Sequence, residues 1–167
     1  MLDLNEPLDE AGFQHLRRSI QDRYSINLIV PAEQDSWEAG LHHGFKGMQL
    51  ACPAVTAEAL KGTNPASVFS RSMEAHNQDK VSMAPIAARD ARTVVGLVEE
   101  VVAIHLLTAC QALDLRGAEL MASRTRAAYE LVRARAPFVG TDRRMDADIA
   151  AVVDLIRSGA FGELLTP

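Results

Sequence analysis

Aromatic residues are scarce in this chain: Phe, Tyr and Trp together make up 5% of its 167 residues. Sheet interiors draw on aromatic and β-branched side chains; Ala, Leu, Val and Arg are plentiful instead, which favours helix. Cysteine is limited to Cys52 and Cys110, far apart and each within an apolar helical pattern. They are expected to be buried, reduced thiols of a cytoplasmic protein rather than a disulfide. No Cys/His spacing of the metal-binding kind occurs, so no metal site is expected. The start "MLDLNEPLDEAG" has neither a basic region nor an apolar one, so no signal peptide is expected. The longest apolar run, Val101 to Leu115, is interrupted by His105, Gln111 and Asp114 and is expected to be too short and too polar to span a bilayer. P-loops, dinucleotide fingerprints and nucleophile elbows are absent. A formal charge of −5, with no aromatic side chain interleaved among the basic ones, argues against a nucleic-acid surface.

What remains is ordinary globular material, 48% hydrophobic and 23% charged, sized for one domain. Such a length buries most of its apolar surface without disulfides or metals. Charge is uneven. Asp3, Glu6, Asp9, Glu10, Asp22, Glu33, Asp35 and Glu38 outnumber Arg17, Arg18 and Arg23 early on. Later the balance reverses through Arg116, Arg124, Arg126, Arg133, Arg135, Arg143 and Arg144. The two halves are expected to balance across the fold or an oligomer contact.

Asp9 suits the N-cap of a helix carrying Phe13, Leu16 and Ile20, and "SINLIVP" (Ser25 to Pro31) reads as a strand or an extended connector. A second helix is expected from about Ser36 to Leu60. Gly40, Gly44 and Gly47 would leave one of its faces bare for close helix approach, and Pro53 would kink or split it. "KGTNPAS" is a turn. A long helix is expected from about Asn77 or Ser82 to Arg116, with Pro85 tolerated in its first turn. Its second half, "VVAIHLLTACQALDL", is apolar almost all round, as in a helix enclosed by others. Gly117 separates it from an Arg-rich amphipathic helix stopped by Pro137. A last helix starts near Asp146, presents Ile149, Val153 and Ile156, and closes at Ser158 and Gly159. The fold class is all-α, a long-helix bundle. So apolar a central helix in so short a chain implies association into a larger bundle.

Glu74, His76, Asn77, Gln78 and Asp79 form the one dense polar constellation. It suits either a solvated loop with Asn77 or Asp79 as N-cap, or a cavity wall in which Glu74 and Gln78 share a face and hold an amine and a polar group. His42 and His43, adjacent on a helix, would diverge and make a poor metal pair. His105 reads as a hydrogen-bonded core or interface histidine. Lys46, in "GFKG", is either a snorkelling surface lysine or a buried cation awaiting a carboxylate such as Glu74.

"HHGFKGMQLA" (His42 to Ala51), "NPASVFSRSMEAHNQDKVSM" (Asn64 to Met83), "VVAIHLLTACQALDLR" (Val101 to Arg116) and "DRRMDADIAAVVDLIRSGAFGELL" together resemble the aromatic amino acid ammonia-lyase family, with its histidine, phenylalanine and tyrosine ammonia-lyases and aminomutases. The likeness is collinear from about residue 12 onward and corresponds to the last third of a family enzyme. It fades over residues 1–35, an N-terminal helix and connector, and is firm over 36–167, the lyase-like helical domain. The resemblance implies the C-terminal part of the aspartase-like fold, a homotetramer with central helices packed across subunits, and an aromatic amino acid as ligand. The family's electrophile is a methylidene-imidazolone made from Ala-Ser-Gly, a tripeptide this sequence does not contain. No catalytic residue is therefore expected in this chain, which would be inactive alone, and a larger lyase subunit would have to supply the electrophile and the tyrosines. Gln78 matches a position that is Gln in phenylalanine-type and Glu in histidine-type enzymes. Glu74 matches a glutamate near the substrate amine, Lys46 the lysine of "GFKG", and Asn77 lies between the two turn residues. These four are the candidate substrate-binding residues. The other reading is a non-catalytic helical homo-oligomer serving as a binding module or the product of a truncated gene.

Overall fold

A computed structural model describes residues 42–78, 81–117 and 121–164. The expected helix at Phe13 to Ile20 and the segment Ser25 to Pro31 lie outside them, as do residues 1–35 as a whole. The described chain is helical: α1 (Lys46–Lys61), α2 (Ala84–Arg116), α3 (Ser123–Arg133) and α4 (Asp146–Arg157), with 3-10 turns at Ala66–Phe69 and Gly162–Leu164. No strand occurs among the described residues; Met73 and Gln78 form an isolated antiparallel bridge.

α2 is the axis. Pro85 sits in its first turn, where a missing N–H costs nothing, and the chain leaves it at Gly117, whose φ of 98° favours glycine. The helix starts at Ala84, later than Asn77 or Ser82, because residues 73–78 are committed to a turn of their own. α1, α3 and α4 pack against it. The core joins Phe45 and Met48 from the start of α1 to Ala103, Ile104, Leu107 and Cys110 of α2. Val132 of α3 and Val152, Val153 and Leu155 of α4 complete it. Burying one such side chain stabilises the fold by about 1.5–3 kcal/mol. α4 runs as its apolar pattern predicts, closing at Ser158 before Gly159 at φ 77°.

α1 departs from its sequence pattern in three ways. It begins at Lys46, because Gly44 (φ 55°) turns the chain just before it. It runs unbroken through Pro53, since Gln49, Leu50 and Pro53 are exposed and the carbonyl that loses its donor lies on the solvent side. Its glycine gives no close approach either: a Cβ on Gly47 would meet nothing within 4 Å. The close approach is at Gly62, where a Cβ would come 2.7 Å from Val94 Cγ2 of α2.

α2 is not enclosed on every side. Ala84, Ala88, Ala91, Val95, Val98, Val102, His105 and Ala109 are all exposed, at alternating steps of four and three. Alternating steps of four and three place these residues on one face of the helix. His105, expected in the core or at an interface, is exposed on this face, with Nε2 3.8 Å from Cys52 Sγ. Cys52 is only half-buried, whereas Cys110 is buried and its thiol pKa is raised by that burial. At 33 residues α2 is also long and apolar enough to cross a membrane by length and composition, which the interrupted run Val101 to Leu115 did not suggest. The central helix of a bundle meets the same criterion.

A polar cluster ties α2 to α3 and the loop after it. Gln111, with no solvent exposure, donates from Nε2 to the Val139 carbonyl (2.8 Å) and accepts from the Val139 N–H (3.1 Å). Arg133 pairs with Asp114 at 2.5 Å, donates to the Ala136 carbonyl, and lies over the Tyr129 ring. Tyr129 donates to Asp114, and that bond raises its pKa. Arg157 of α4 grips Glu99 of α2 at 2.7 Å. Gln111→Leu keeps the volume but leaves both Val139 groups unpaired, each costing about 1–3 kcal/mol. Denaturant unfolding followed by circular dichroism is expected to show that loss, and an unchanged midpoint would contradict it.

Candidate functional site

The polar stretch folds into a tight loop. Met73 and Gln78 exchange two backbone hydrogen bonds, N to O at 2.9 and 3.2 Å, and the Asn77 N–H donates to the Glu74 carbonyl at 2.9 Å. Between them Glu74, Ala75 and His76 all have positive φ, 50°, 52° and 63°. Three successive L-residues in the left-handed region cost about 1–2 kcal/mol each. Part of that cost is offset locally. Ser72 Oγ and His76 Nδ1 lie 2.8 Å apart, and Gln78 Nε2 donates to Glu74 Oε2 at 3.2 Å. The Val81 N–H donates to Ser70 Oγ, tying the loop's two ends together.

The left-handed turn brings Glu74 and Gln78 to one side as a right-handed turn would. Both are exposed, as is Asn77, which caps no helix. Asp79 lies outside the described residues. The carboxylate keeps Oε1 open beside an anchored carboxamide, an arrangement able to take a cationic amine and a neutral polar group together. Backbone held in sparsely populated regions concentrates at functional sites.

Lys46, the first residue of α1, is exposed, and among the described residues it makes no ion pair with Glu74. The buried-cation option for it is therefore not what this chain adopts. What fixes Lys46 is the turn before it: its N–H donates to the His43 carbonyl at 3.1 Å, and the neighbouring Phe45 is buried. That turn is in turn held by Asp142, whose carboxylate accepts from the N–H groups of His43 (2.7 Å) and Gly44 (2.9 Å). Burial works against the Asp142 charge, but these two donors and the nearby His42 and His43 outweigh it and hold the carboxyl below its usual range. His42 and His43 precede α1 rather than lying on it.

Among the described residues no three His, Cys, Asp or Glu side chains gather to hold a metal. Ser158-Gly159 follows Arg157 at the end of α4, with Ser158 Oγ donating to the Leu155 carbonyl. Arg157 rather than Ala precedes Ser158, so no Ala-Ser-Gly tripeptide is present there.

The aromatic amino acid lyase family model matches residues 30–134. The chain belongs to the aromatic amino acid lyase family. Tyrosine ammonia-lyase of Cupriavidus metallidurans is 40% identical over 141 residues, covering 84% of this chain and 26% of that protein. Histidine ammonia-lyase of Natranaerobius thermophilus is also 40% identical, over 73% of this chain and 24% of the relative. Among solved structures, tyrosine aminomutase from Streptomyces globisporus superposes with a TM-score of 0.74 at 32% identity, over 93% of this chain and 29% of the other. This lyase-family chain thus spans about a quarter of the length of the curated relatives it matches.

Sequence reasoning missed two residues that shape the site, Ser72 and Asp142. Ser72 was legible in principle, four residues before His76. Asp142 acts on residues 98 and 99 positions away, and no local pattern announces an acceptor supplied from that distance. Because Ala75 carries no side-chain hydrogen bond at φ 52°, Ala75→Gly is expected to raise stability by up to about 1 kcal/mol. A thermal melt showing Ala75→Gly below the wild type would contradict the left-handed turn.

Proposed function

We propose that these 167 residues work as the C-terminal helical portion, or small subunit, of an aromatic amino acid ammonia-lyase or aminomutase. The observation that carries this reading is the Glu74–Gln78 pair, set on a strained turn within a lyase-family chain. In the reading, Glu74 attracts the ammonium of an aromatic amino acid. Gln78 holds that carboxylate in place and presents its carbonyl oxygen to the substrate, with Asn77 beside it in the turn and Lys46 contributed from the start of α1. These groups bind and orient; none is a nucleophile. The electrophile comes from outside these residues, since the tripeptide that forms it is absent from them. The names of the relatives, tyrosine and histidine ammonia-lyase and tyrosine aminomutase, support the substrate class.

Assembly belongs to the same reading. The exposed seam from Ala84 to Ala109 is apolar apart from His105 and suits packing of α2 against copies of itself in a homo-oligomer, most simply a tetramer. Leu107 faces the chain's own core and is buried, so it does not report on that packing. Val102 does, being 41% exposed.

Two experiments test the reading. Co-expression with a lyase body carrying Ala-Ser-Gly and the family tyrosines is expected to yield cinnamate, coumarate or urocanate by ultraviolet absorbance, and the isolated chain none. Glu74→Ala is expected to lower that rate by a factor of about 10²–10³, and Gln78→Glu to shift preference toward histidine. Turnover by the isolated chain, or indifference of the complex to both substitutions, would overturn the assignment. For assembly, Val102→Asp places an unpaired charge in the seam. Light scattering is expected to show a folded monomer for Val102→Asp and an oligomer for the wild type; a wild-type monomer would refute the seam.

A further inference from the structure

α1 begins without a cap of its own. Phe45 occupies the N-cap position and provides no side-chain hydrogen bond, and no acidic residue lies in the first turn. The first backbone N–H groups of a helix need partners, and a capping oxygen is worth about 1 kcal/mol. Asp142 does not supply one to that first turn; from the far end of the sequence it braces the two residues just ahead of the N-cap. The two Asp142 oxygens take one donor each, Oδ2 from His43 and Oδ1 from Gly44, at 2.7 and 2.9 Å. Gly44 at φ 55° is what turns both N–H groups toward the same carboxylate.

We propose that Asp142 is the positioning residue for Lys46: its carboxylate fixes the Gly44 turn, and the turn fixes where α1 and the lysine enter the candidate site. This rests on the reading of Lys46 as part of the substrate site. The clamp has a firm base. Asp142 follows Val139 by three residues, and Val139 is locked to buried Gln111 by two hydrogen bonds. The adjoining Arg143 and Arg144 are engaged by Asp148 and Asp146, so neither neutralises Asp142 in place of the backbone donors. Among the described residues the other titratable groups facing Asp142 are His42 and His43, which favour its ionised form. A carboxyl held below its usual range keeps the clamp shut at and above that range. The clamp opens as the pH falls through the lowered value.

The test uses the full chain. Amide proton shifts of His43 and Gly44 are expected to titrate together in the wild type, with a midpoint below that of an ordinary carboxyl. In Asp142→Ala that titration disappears, and amides from His43 to Met48 exchange with solvent about tenfold faster, the scale expected for a lost hydrogen bond. Amides of α4 stay unchanged, and Asp142→Asn, which keeps one acceptor oxygen, recovers part of the protection. Unaltered shifts and exchange in Asp142→Ala would overturn the clamp. If Asp142→Ala does not fold, the wild-type titration and Asp142→Asn decide the matter. In the complex with a lyase body, Asp142→Ala is expected to lower kcat/KM about tenfold and Asp142→Asn to restore part of it. A wild-type rate with an open clamp would overturn the positioning role. A wild-type complex without activity, but with the clamp intact, would overturn the proposed function and leave the clamp standing.

Discussion

A single buried carboxamide holds the far end of this fold in register. Gln111 meets both backbone groups of Val139, as a neighbouring strand would, although no strand is present among the described residues. The loop between α3 and α4 has no helix to satisfy its backbone, and a buried N–H or C=O without a partner is costly. One side chain from the central helix satisfies both groups and fixes the loop's height along α2. Arg133 and Asp114 brace the same corner, and Tyr129 closes it. From that corner the chain runs three residues to Asp142, which reaches the start of α1. The order in the "GFKG" segment is thus inherited from a hydrogen-bond pair on the opposite side of the sequence.

The molecule has two unlike surfaces on its central helix. One side carries Ala103, Ile104, Leu107 and Cys110 into a core shared by α1, α3 and α4. The other side is the Ala–Val seam that the chain itself leaves uncovered. Near the start of α2 stands the strained turn with its exposed Glu74, Asn77 and Gln78. A lone domain gains nothing from three left-handed residues and an open carboxylate. Both features are what the proposed function uses: the seam for packing against further helices, the turn for holding a substrate.

Helix identity was legible because its signals are local. Pro85, Gly117, Ser158 and Gly159 mark the ends of α2 and α4 where physical chemistry puts them. The beginning of α1 was not legible, since the glycines that suggested a bare helical face include one, Gly44, that turns the chain before the helix begins. Pro53 misled for the opposite reason: a local rule against proline yields when the affected carbonyl faces water. At the site, the polarity of residues 74–78 was plain, but its handedness was hidden. Nothing in Glu-Ala-His announces positive φ, which the bridge between Met73 and Gln78 imposes. The substrate-site reading of Glu74, Gln78, Asn77 and Lys46 rests on the resemblance to ammonia-lyases, since composition and periodicity do not give it.

The central claim is that the turn at residues 73–78 becomes one wall of a substrate pocket when this chain assembles with the rest of a lyase. An electron cryo-microscopy structure of the chain co-purified with such a body, in the presence of an unreactive aromatic amino acid analogue, tests it most directly. The account requires the analogue's ammonium within hydrogen-bond distance of Glu74, with the turn still left-handed and Gln78 still donating to Glu74. An analogue bound elsewhere, with Glu74 and Gln78 open to solvent, would contradict it.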